Sequence, residues 1–130
     1  MPKKVLLVDD EKLFIRMLEP KLKERDFQVV IANSGQEALD KIEQEKPDLV
    51  LLDIMMPQMD GIETLRRIRQ GDQNLPVFML TGLTNDENFR SANNLKASGF
   101  IVKVNEIDQQ LEHISSIVRL SERFSGQVTK

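Results

Sequence analysis

Short apolar runs that end abruptly in a polar residue constrain the fold of this chain most. Residues 49–52 read LVLL, and Asp53 follows them directly. An apolar run without alternation is typical of a strand buried on both faces, as in a parallel sheet covered by helices. Pro57 and the pair Asp60-Gly61 are turn signals just beyond it. We therefore expect Asp53 at the carboxyl end of a central strand, the edge where open parallel sheets bind ligands.

Helical patterns alternate with strand-like runs along the rest of the chain. Strands are predicted at 5–8, 27–31, 75–80 and 100–102, besides the one that ends at Asp53. Helices are predicted at 11–25, from a cap at Ser34 to before Pro47, at 62–71, at 85–97 and from a cap at Asn105. This alternation predicts a doubly wound α/β fold, with a five-stranded parallel sheet flanked by five helices. The pattern alone does not give the strand order, but the order 2-1-3-4-5 would put the first and third strands side by side.

Length and helical spacing set the predicted domain and its core. The 130 residues fit one domain, predicted to span residues 1–120, with a polar tail at 121–130. The first helix is expected to bury one apolar face and to bend at Pro20. The last helix is expected to bury another, and its lone histidine, His113, should lie at the surface. The residues of these two faces are Phe14, Met17, Leu18 and Leu22, and Ile107, Leu111, Ile114 and Val118.

Composition excludes several classes of function. The net charge is −3 and the basic residues are scattered, so direct nucleic-acid binding is not expected. The chain has no cysteine and one histidine, which excludes thiol nucleophiles, zinc–thiolate sites and multi-histidine metal sites. No apolar run approaches the roughly 18 residues of a membrane span, and the first residues lack a signal-peptide core. We therefore expect a cytoplasmic protein that does not contact a membrane.

Polar residues follow four of the five predicted strands. Because the carboxyl ends of parallel strands share one edge of a sheet, Asp9, Asp10, Asp53, Thr81 and Lys103 should meet there. Three close carboxylates repel one another, and a hard divalent cation such as Mg²⁺ offsets that repulsion. One carboxylate could then attack a phosphoryl group and form an aspartyl phosphate. A lysine and a hydroxyl would stabilise the charge on the phosphoryl oxygens.

From about Lys3 to Leu120, the chain resembles the receiver (CheY-like) domains of two-component response regulators. The resemblance implies that Asp53 accepts a phosphoryl group from a phosphohistidine of a sensor histidine kinase or phosphotransfer protein. It also implies a domain that is no general enzyme, since it catalyses only its own phosphorylation and dephosphorylation. The motifs that carry the resemblance are VLLVDDE (5–11), LLDIMMPQMDG (51–61), LTG (80–82) and FIVK (100–103).

The resemblance also implies roles for the other site residues. Asp10, Asp53 and the backbone carbonyl of Met55 would bind Mg²⁺, and Asp9 would act mainly through water. Thr81 would move to hydrogen-bond the phosphoryl group, and Lys103 would pair with it. Phe100 occupies the position of an aromatic residue whose rotamer follows the threonine.

In this family the switch changes the surface formed by the fourth helix, fifth strand and fifth helix. That surface often binds a partner or forms a homodimer, to which Ile117 and Leu120 could contribute as readily as to ordinary helix-end packing. The cognate kinase, the downstream target or output domain and the pathway cannot be read from the sequence.

One position departs from the family pattern. The family usually has a proline, joined by a cis peptide bond, after the lysine, whereas this chain has Val104. A cis bond before a residue other than proline costs about 2.5–4 kcal/mol. We therefore predict a trans Lys103–Val104 bond, a different loop into the last helix, and a Lys103 side chain that points less well into the site.

Two other classes of protein share part of this pattern. An aspartate-based phosphatase of the haloacid dehalogenase kind needs a second aspartate two residues after the nucleophile, and this chain has Met55 there. A receiver-like protein-interaction module that is never phosphorylated remains an alternative, since Val104 departs from the family pattern.

Overall fold

The computed structural model describes residues 3–82, 86–104 and 106–128, with side chains described except at 86 and 120–128. Strands and helices alternate throughout. The strands are β1 (Lys4–Val8), β2 (Gln28–Ala32), β3 (Leu49–Asp53), β4 (Val77–Thr81) and β5 (Gly99–Val102). The helices are α1 (Lys12–Glu24), α2 (Gly35–Glu45), α3 (Gly61–Gly71), α4 (Asp86–Asn94) and α5 (Ile107–Val128).

All five strands form one parallel sheet in the order β2-β1-β3-β4-β5. The predicted doubly wound α/β fold is therefore confirmed, together with the order 2-1-3-4-5. In the register, Val8 pairs with Leu52, and Asp53 pairs with Leu80. The carboxyl ends of β1, β3 and β4 are thus level with one another, which brings the residues that follow them to one edge.

The sheet separates two apolar layers, because successive strand residues point to opposite faces. Every residue of β3 is buried, and so are residues 5–8 of β1, as the uninterrupted apolar runs predicted. One layer contains Leu6, Val8, Val50 and Leu52 with residues of α2, α3 and α4. The other contains Val5, Leu7, Leu49 and Leu51 with residues of α1 and α5.

The buried face of α1 differs from the predicted one. Ile15, Leu18 and Leu22 are buried, whereas Met17 is 44% exposed. Residues 15, 18 and 22 follow the 3–4 residue spacing of one helix face, and position 17 lies beside that face. The prediction was wrong at Met17 because the sequence contains two overlapping apolar stripes, and only docking on the sheet selects one. The helix continues through Pro20.

Side-chain caps begin three of the helices. The Glu37 N–H donates to Ser34 Oγ at 3.1 Å, which confirms the predicted cap of α2. The Glu63 N–H donates to Asp60 Oδ1 at 2.9 Å at the start of α3.

Glu106 caps the start of α5. The Glu106 carboxylate accepts from the N–H groups of Asp108 and Gln109 at 2.9 and 3.0 Å. The predicted cap, Asn105, lies outside the described residues. Glu106 is the residue directly before the helix and satisfies two of its unpaired N–H groups.

The last helix is longer than the sequence predicted. Its backbone is helical to Val128, so the predicted polar tail from residue 121 is largely part of α5. Once a helix is nucleated, each added residue gains a backbone hydrogen bond, and polarity alone does not end it. None of the described helices is long and apolar enough to cross a membrane.

Candidate functional site

The carboxyl edge of the sheet brings the predicted acidic residues together. Asp9 and Asp10 follow β1, and Asp53 is the last residue of the neighbouring strand β3. One carboxylate oxygen from each of these three residues lies within 4.8 Å of the others. This arrangement depends on β1 and β3 being adjacent, which is the result of the crossover order.

Burial divides the three carboxylates. Asp9 is fully buried and Asp53 is 4% exposed, whereas Asp10 is exposed. Burial raises the pKa of Asp53 to about 7, and the charges of Asp9 and Asp10 act in the same direction. Lys103 and the Met55 N–H, which donates to Asp53 Oδ1 at 3.3 Å, oppose this rise. The protein alone therefore does not fully compensate the negative charge at Asp53.

Lys103 is the cation that faces this cluster. Its ammonium nitrogen lies 2.7 Å from Asp9 Oδ2, 2.6 Å from Glu11 Oε1 and 3.5 Å from Asp53 Oδ2. The side chain is 13% exposed, and its Nζ lies 4.7 Å from the centre of the Phe14 ring. Burial acts to lower the pKa of Lys103, but the contacts with Asp9 and Glu11 outweigh it and raise the pKa.

The Lys103–Val104 bond is trans, since the described chain contains no cis peptide bond. This part of the prediction is confirmed. With this trans bond, the Lys103 ammonium reaches both buried carboxylates, and how well it points at a phosphoryl group stays a prediction. The loop into α5 includes Asn105, which lies outside the described residues.

Gln110 is a site residue that the sequence reasoning missed. This glutamine of α5 is fully buried. Its Oε1 accepts from the Val104 N–H at 2.7 Å, and its Nε2 donates to the Val102 carbonyl at 3.2 Å. A polar residue at 110, beside Leu111 and three residues after Ile107 in the apolar face of the helix, was the available signal.

The loop between β3 and α3 follows Asp53 directly and packs against its backbone. The Gly61 N–H donates to the Ile54 carbonyl at 2.8 Å. A Cβ at position 61 would overlap the backbone carbonyl oxygen of Asp53 and crowd Ile54 Cα, so the loop needs glycine there. The Met55 side chain is 63% exposed beside this edge.

The two residues predicted to switch lie on one side of the sheet. Thr81 ends β4, is 1% exposed, and accepts the Lys103 N–H with its backbone carbonyl at 2.9 Å. It follows Met79 by two residues, so its side chain points to the same face as Phe100, which packs in the Met79 layer. The Phe100 ring meets the Phe89 ring of α4 edge to face, with 4.6 Å between their centres.

The remaining predicted residues lie on α5. His113 is exposed, and Ile117 is half-buried against the core. The Leu120 side chain lies outside the described part of the chain.

The donor set fits a hard divalent cation. Asp9, Asp10 and Asp53 supply oxygen ligands within reach of one ion. Burial, and after it the charge of Asp9, raises the pKa of Asp53, and such an ion would favour its ionised form. Exposed acidic clusters are common without a metal, but here two of the three carboxylates are buried.

Known proteins match this chain over most of its length. The model of the response regulator receiver domain matches residues 5–115. The alkaline phosphatase synthesis transcriptional regulatory protein PhoP of Bacillus subtilis is 38% identical over 124 residues, which cover 94% of this chain and 51% of that protein. A protein-glutamate methylesterase/protein-glutamine glutaminase of Trichodesmium erythraeum is 48% identical over 87 residues, covering 65% of this chain and 25% of that protein.

Solved structures agree with these matches. The chemotaxis protein CheY4 of Vibrio cholerae superposes with a TM-score of 0.82 and 28% identity, covering 90% of this chain and 99% of that one. The chain spans about half the length, or less, of the two curated relatives, so the match concerns their receiver portion. The family model, the relatives and the fold agree: this chain belongs to the receiver domain family of response regulators.

Proposed function

We propose that this chain is the phosphoacceptor domain of a two-component signalling system. In this proposal Asp53 takes a phosphoryl group from the phosphohistidine of a sensor histidine kinase or a phosphotransfer protein. One observation carries it: the buried Asp53 ends a central strand, with two further carboxylates within 4.8 Å and the Lys103 ammonium at 3.5 Å. A fully structural aspartate would not need this excess of charge around it.

The reaction requires a nucleophile that is ionised. The Asp53 carboxylate would form a bond to phosphorus while the bond between phosphorus and the histidine nitrogen breaks. Lys103 would pair with the phosphoryl group, and the Thr81 hydroxyl would donate to another of its oxygens. Hydrolysis of the aspartyl phosphate would return the carboxylate, so the domain acts only on itself.

The metal in this proposal is Mg²⁺. Asp10, Asp53 and the backbone carbonyl of Met55 would hold it, and Asp9 would act mainly through water. When bound, the ion supplies positive charge that keeps Asp53 ionised and offsets the charge of the phosphoryl oxygens. Asp9 meanwhile pairs with Lys103 at 2.7 Å.

The output would be a change of the α4-β5-α5 face. Phosphorylation would draw Thr81 inward, and Phe100 would follow it against Phe89. Phe100 has no hydroxyl, so only its packing can report the change. This face would bind a downstream partner or a second copy of the chain, in a reducing cytoplasm compatible with the absence of cysteine.

Intact mass tests the proposal. Wild-type protein incubated with acetyl phosphate and Mg²⁺ should gain the mass of one phosphoryl group, and Asp53→Asn should gain none. Asp48→Asn is the matched control, because the same change lies just before the opposite end of the same strand. It should gain the group as wild type does.

Failure of wild type to gain the group, with the fold and Mg²⁺ binding intact, would contradict phosphoacceptor function. That result would favour the alternative, a receiver-like interaction module that works without phosphorylation.

A further inference from the structure

A fully buried glutamine needs partners for both ends of its amide. Gln110 lies in the apolar layer of α5 beside Leu111 and Ile114, where an unpaired amide would cost about 1–3 kcal/mol. Both of its polar atoms are paired, with Val104 N at 2.7 Å and with the Val102 carbonyl at 3.2 Å. The amide therefore bridges two backbone groups of a single segment.

The two partners of Gln110 are the residues on either side of Lys103. Lys103 itself donates its N–H to the Thr81 carbonyl at 2.9 Å. Three consecutive residues, from the last residue of β5 to Val104, are thus tied, the middle one to β4 and the outer two to α5. These hydrogen bonds restrain the backbone at Lys103, from which its side chain extends towards the carboxylates.

Val104 makes the bond to Gln110 possible. Proline carries no N–H, whereas valine presents one that must find an acceptor when it is removed from water. In this chain the acceptor is Gln110 Oε1. The trans Lys103–Val104 bond therefore occurs together with the buried glutamine that binds the Val104 N–H. With both present, Lys103 reaches Asp9 and Asp53.

We propose that Gln110 is a positioning residue that holds Lys103 in the phosphoryl-transfer site by bridging the backbone groups on either side of it. Its effect on reaction rate rests on the proposed function, whereas its effect on the position of Lys103 does not. Gln110 contacts no reacting atom and acts through Lys103 alone.

The position of Lys103 can be measured without phosphorylation. The ammonium lies over the Phe14 ring, so the protons of the adjacent methylene group should show a ring-current shift in the NMR spectrum. Gln110→Leu keeps a side chain of similar size in the apolar layer but removes both hydrogen bonds. It should abolish this shift and speed hydrogen exchange at the Val104 N–H.

Gln109→Leu is the matched control, since it makes the same change at the adjacent, exposed position. It should leave both signals as in wild type. An unchanged Lys103 shift in folded Gln110→Leu would overturn the proposal, whatever the outcome of the phosphorylation assay.

Phosphorylation rates separate positioning from general stability. With acetyl phosphate and Mg²⁺, Gln110→Leu should be phosphorylated about 10-fold more slowly than wild type, because small displacements of a catalytic group cost large factors in rate. In a Lys103→Ala background, the same substitution should slow the reaction by no more than about 2-fold. An equal loss in both backgrounds would mean that Gln110 supports only the fold, and would overturn the proposal.

Discussion

Buried charged groups at the two edges of the sheet have different kinds of neighbours. At the carboxyl edge, Lys103 faces three carboxylates at 2.6–3.5 Å, and the pKa of Asp53 remains raised to about 7. At the amino edge, the guanidinium of Arg69 is 9% exposed and donates only to neutral groups among its described hydrogen bonds. The carboxyl edge holds an excess of like charge, whereas the buried charge of Arg69 is surrounded by carbonyl dipoles.

Arg69, on α3, binds two connecting segments of backbone. Its Nε and Nη atoms donate to the carbonyl oxygens of Leu95, Asp72, Leu75 and Lys96 at 2.8–3.1 Å. These carbonyls lie in the connections that lead into β4 and β5. Burial lowers the pKa of Arg69, and the charge of Asp72 opposes that shift.

The difference indicates what each edge can do. The guanidinium hydrogen-bonding capacity of Arg69 is largely used within the chain, which suits a fixed structural role. The carboxyl edge retains charge that a cation or a phosphoryl group could still change. Substitutions at the amino edge should therefore change mainly stability, and substitutions at the carboxyl edge should change mainly phosphorylation.

The largest effect on stability is expected at Arg69. Arg69→Met leaves four carbonyl oxygens without their donor, which should lower the free energy of unfolding by about 3–5 kcal/mol. Denaturant titration measures this loss. Arg67→Met is the control: Arg67 is about half exposed and pairs with Glu63 on the surface, so its loss should cost less than about 1 kcal/mol. If the folded fraction of Arg69→Met lost its phosphorylation, the separation of the two edges would be wrong.

Asp53→Asn should increase stability when metal is removed. In the folded protein the pKa of Asp53 is about 7, above its ordinary value of 3.8. The contribution of the protonated Asp53 to the free energy of unfolding is therefore fully present below pH 4 and is lost as the pH rises through 7. Asparagine does not ionise, so Asp53→Asn does not lose stability in this way as the pH rises. Above pH 7, its free energy of unfolding should exceed that of wild type by up to about 4 kcal/mol. Denaturant titrations in EDTA at pH 4 and pH 8 test this. A difference between the two proteins that does not grow with pH would contradict the raised pKa of Asp53.

Gly61→Ala should affect both stability and the site. The new Cβ would overlap the backbone carbonyl of Asp53, and backbone atoms cannot move aside cheaply. We expect a loss of about 1–3 kcal/mol and slower phosphorylation of the folded protein. Gly71→Ala is the matched control, since a Cβ there meets no described atom within 4 Å. Normal phosphorylation of Gly61→Ala would mean that the loop can shift without disturbing Asp53.

The smallest effect is expected at Ser34, which caps α2 at the carboxyl edge without entering the acidic cluster. Ser34→Ala removes the acceptor for the Glu37 N–H and should cost about 1 kcal/mol. Ser34→Asn keeps an acceptor and should retain most of the stability. Neither variant should change the phosphorylation rate, and a change would show that the cap and the site are coupled.

The strands and the polar residues that end them could be predicted because both depend on local patterns. Residues 49–52 form a buried run that ends at a carboxylate, and parallel strands bring such ends together. The start of β3 and the cap at Ser34 were predicted for the same reason. These features require only the periodicity of the chain and the rules of strand connection.

Features that depend on distant contacts could not be predicted. Arg69 looks like an ordinary surface residue of a helix, and its role arises only when loops from elsewhere dock against it. The place of Gln110 in the apolar face of α5 indicates burial, but its bonds to Val102 and Val104 depend on the conformation of the segment before the helix. Met17 and Ile15 are both suitable for burial, and the sheet selects Ile15. Glu106 caps α5 because its carboxylate reaches two N–H groups, which is a matter of loop conformation.

The contact of Lys103 with Glu11 also bears on how the chain folds. These residues are 92 positions apart, and Lys103 follows β5, the strand at one border of the sheet. Closing so long a loop has an entropic cost that must be met before the contact stabilises anything. The acidic residues lie within the first 53 positions and can come together when β1 and β3 pair. We therefore expect a folding intermediate in which β1 and β3 are paired but β5 has not yet joined the sheet. In that intermediate the three aspartates would already be close together, whereas Lys103, which the proposed reaction requires, would reach them only in a late step of folding.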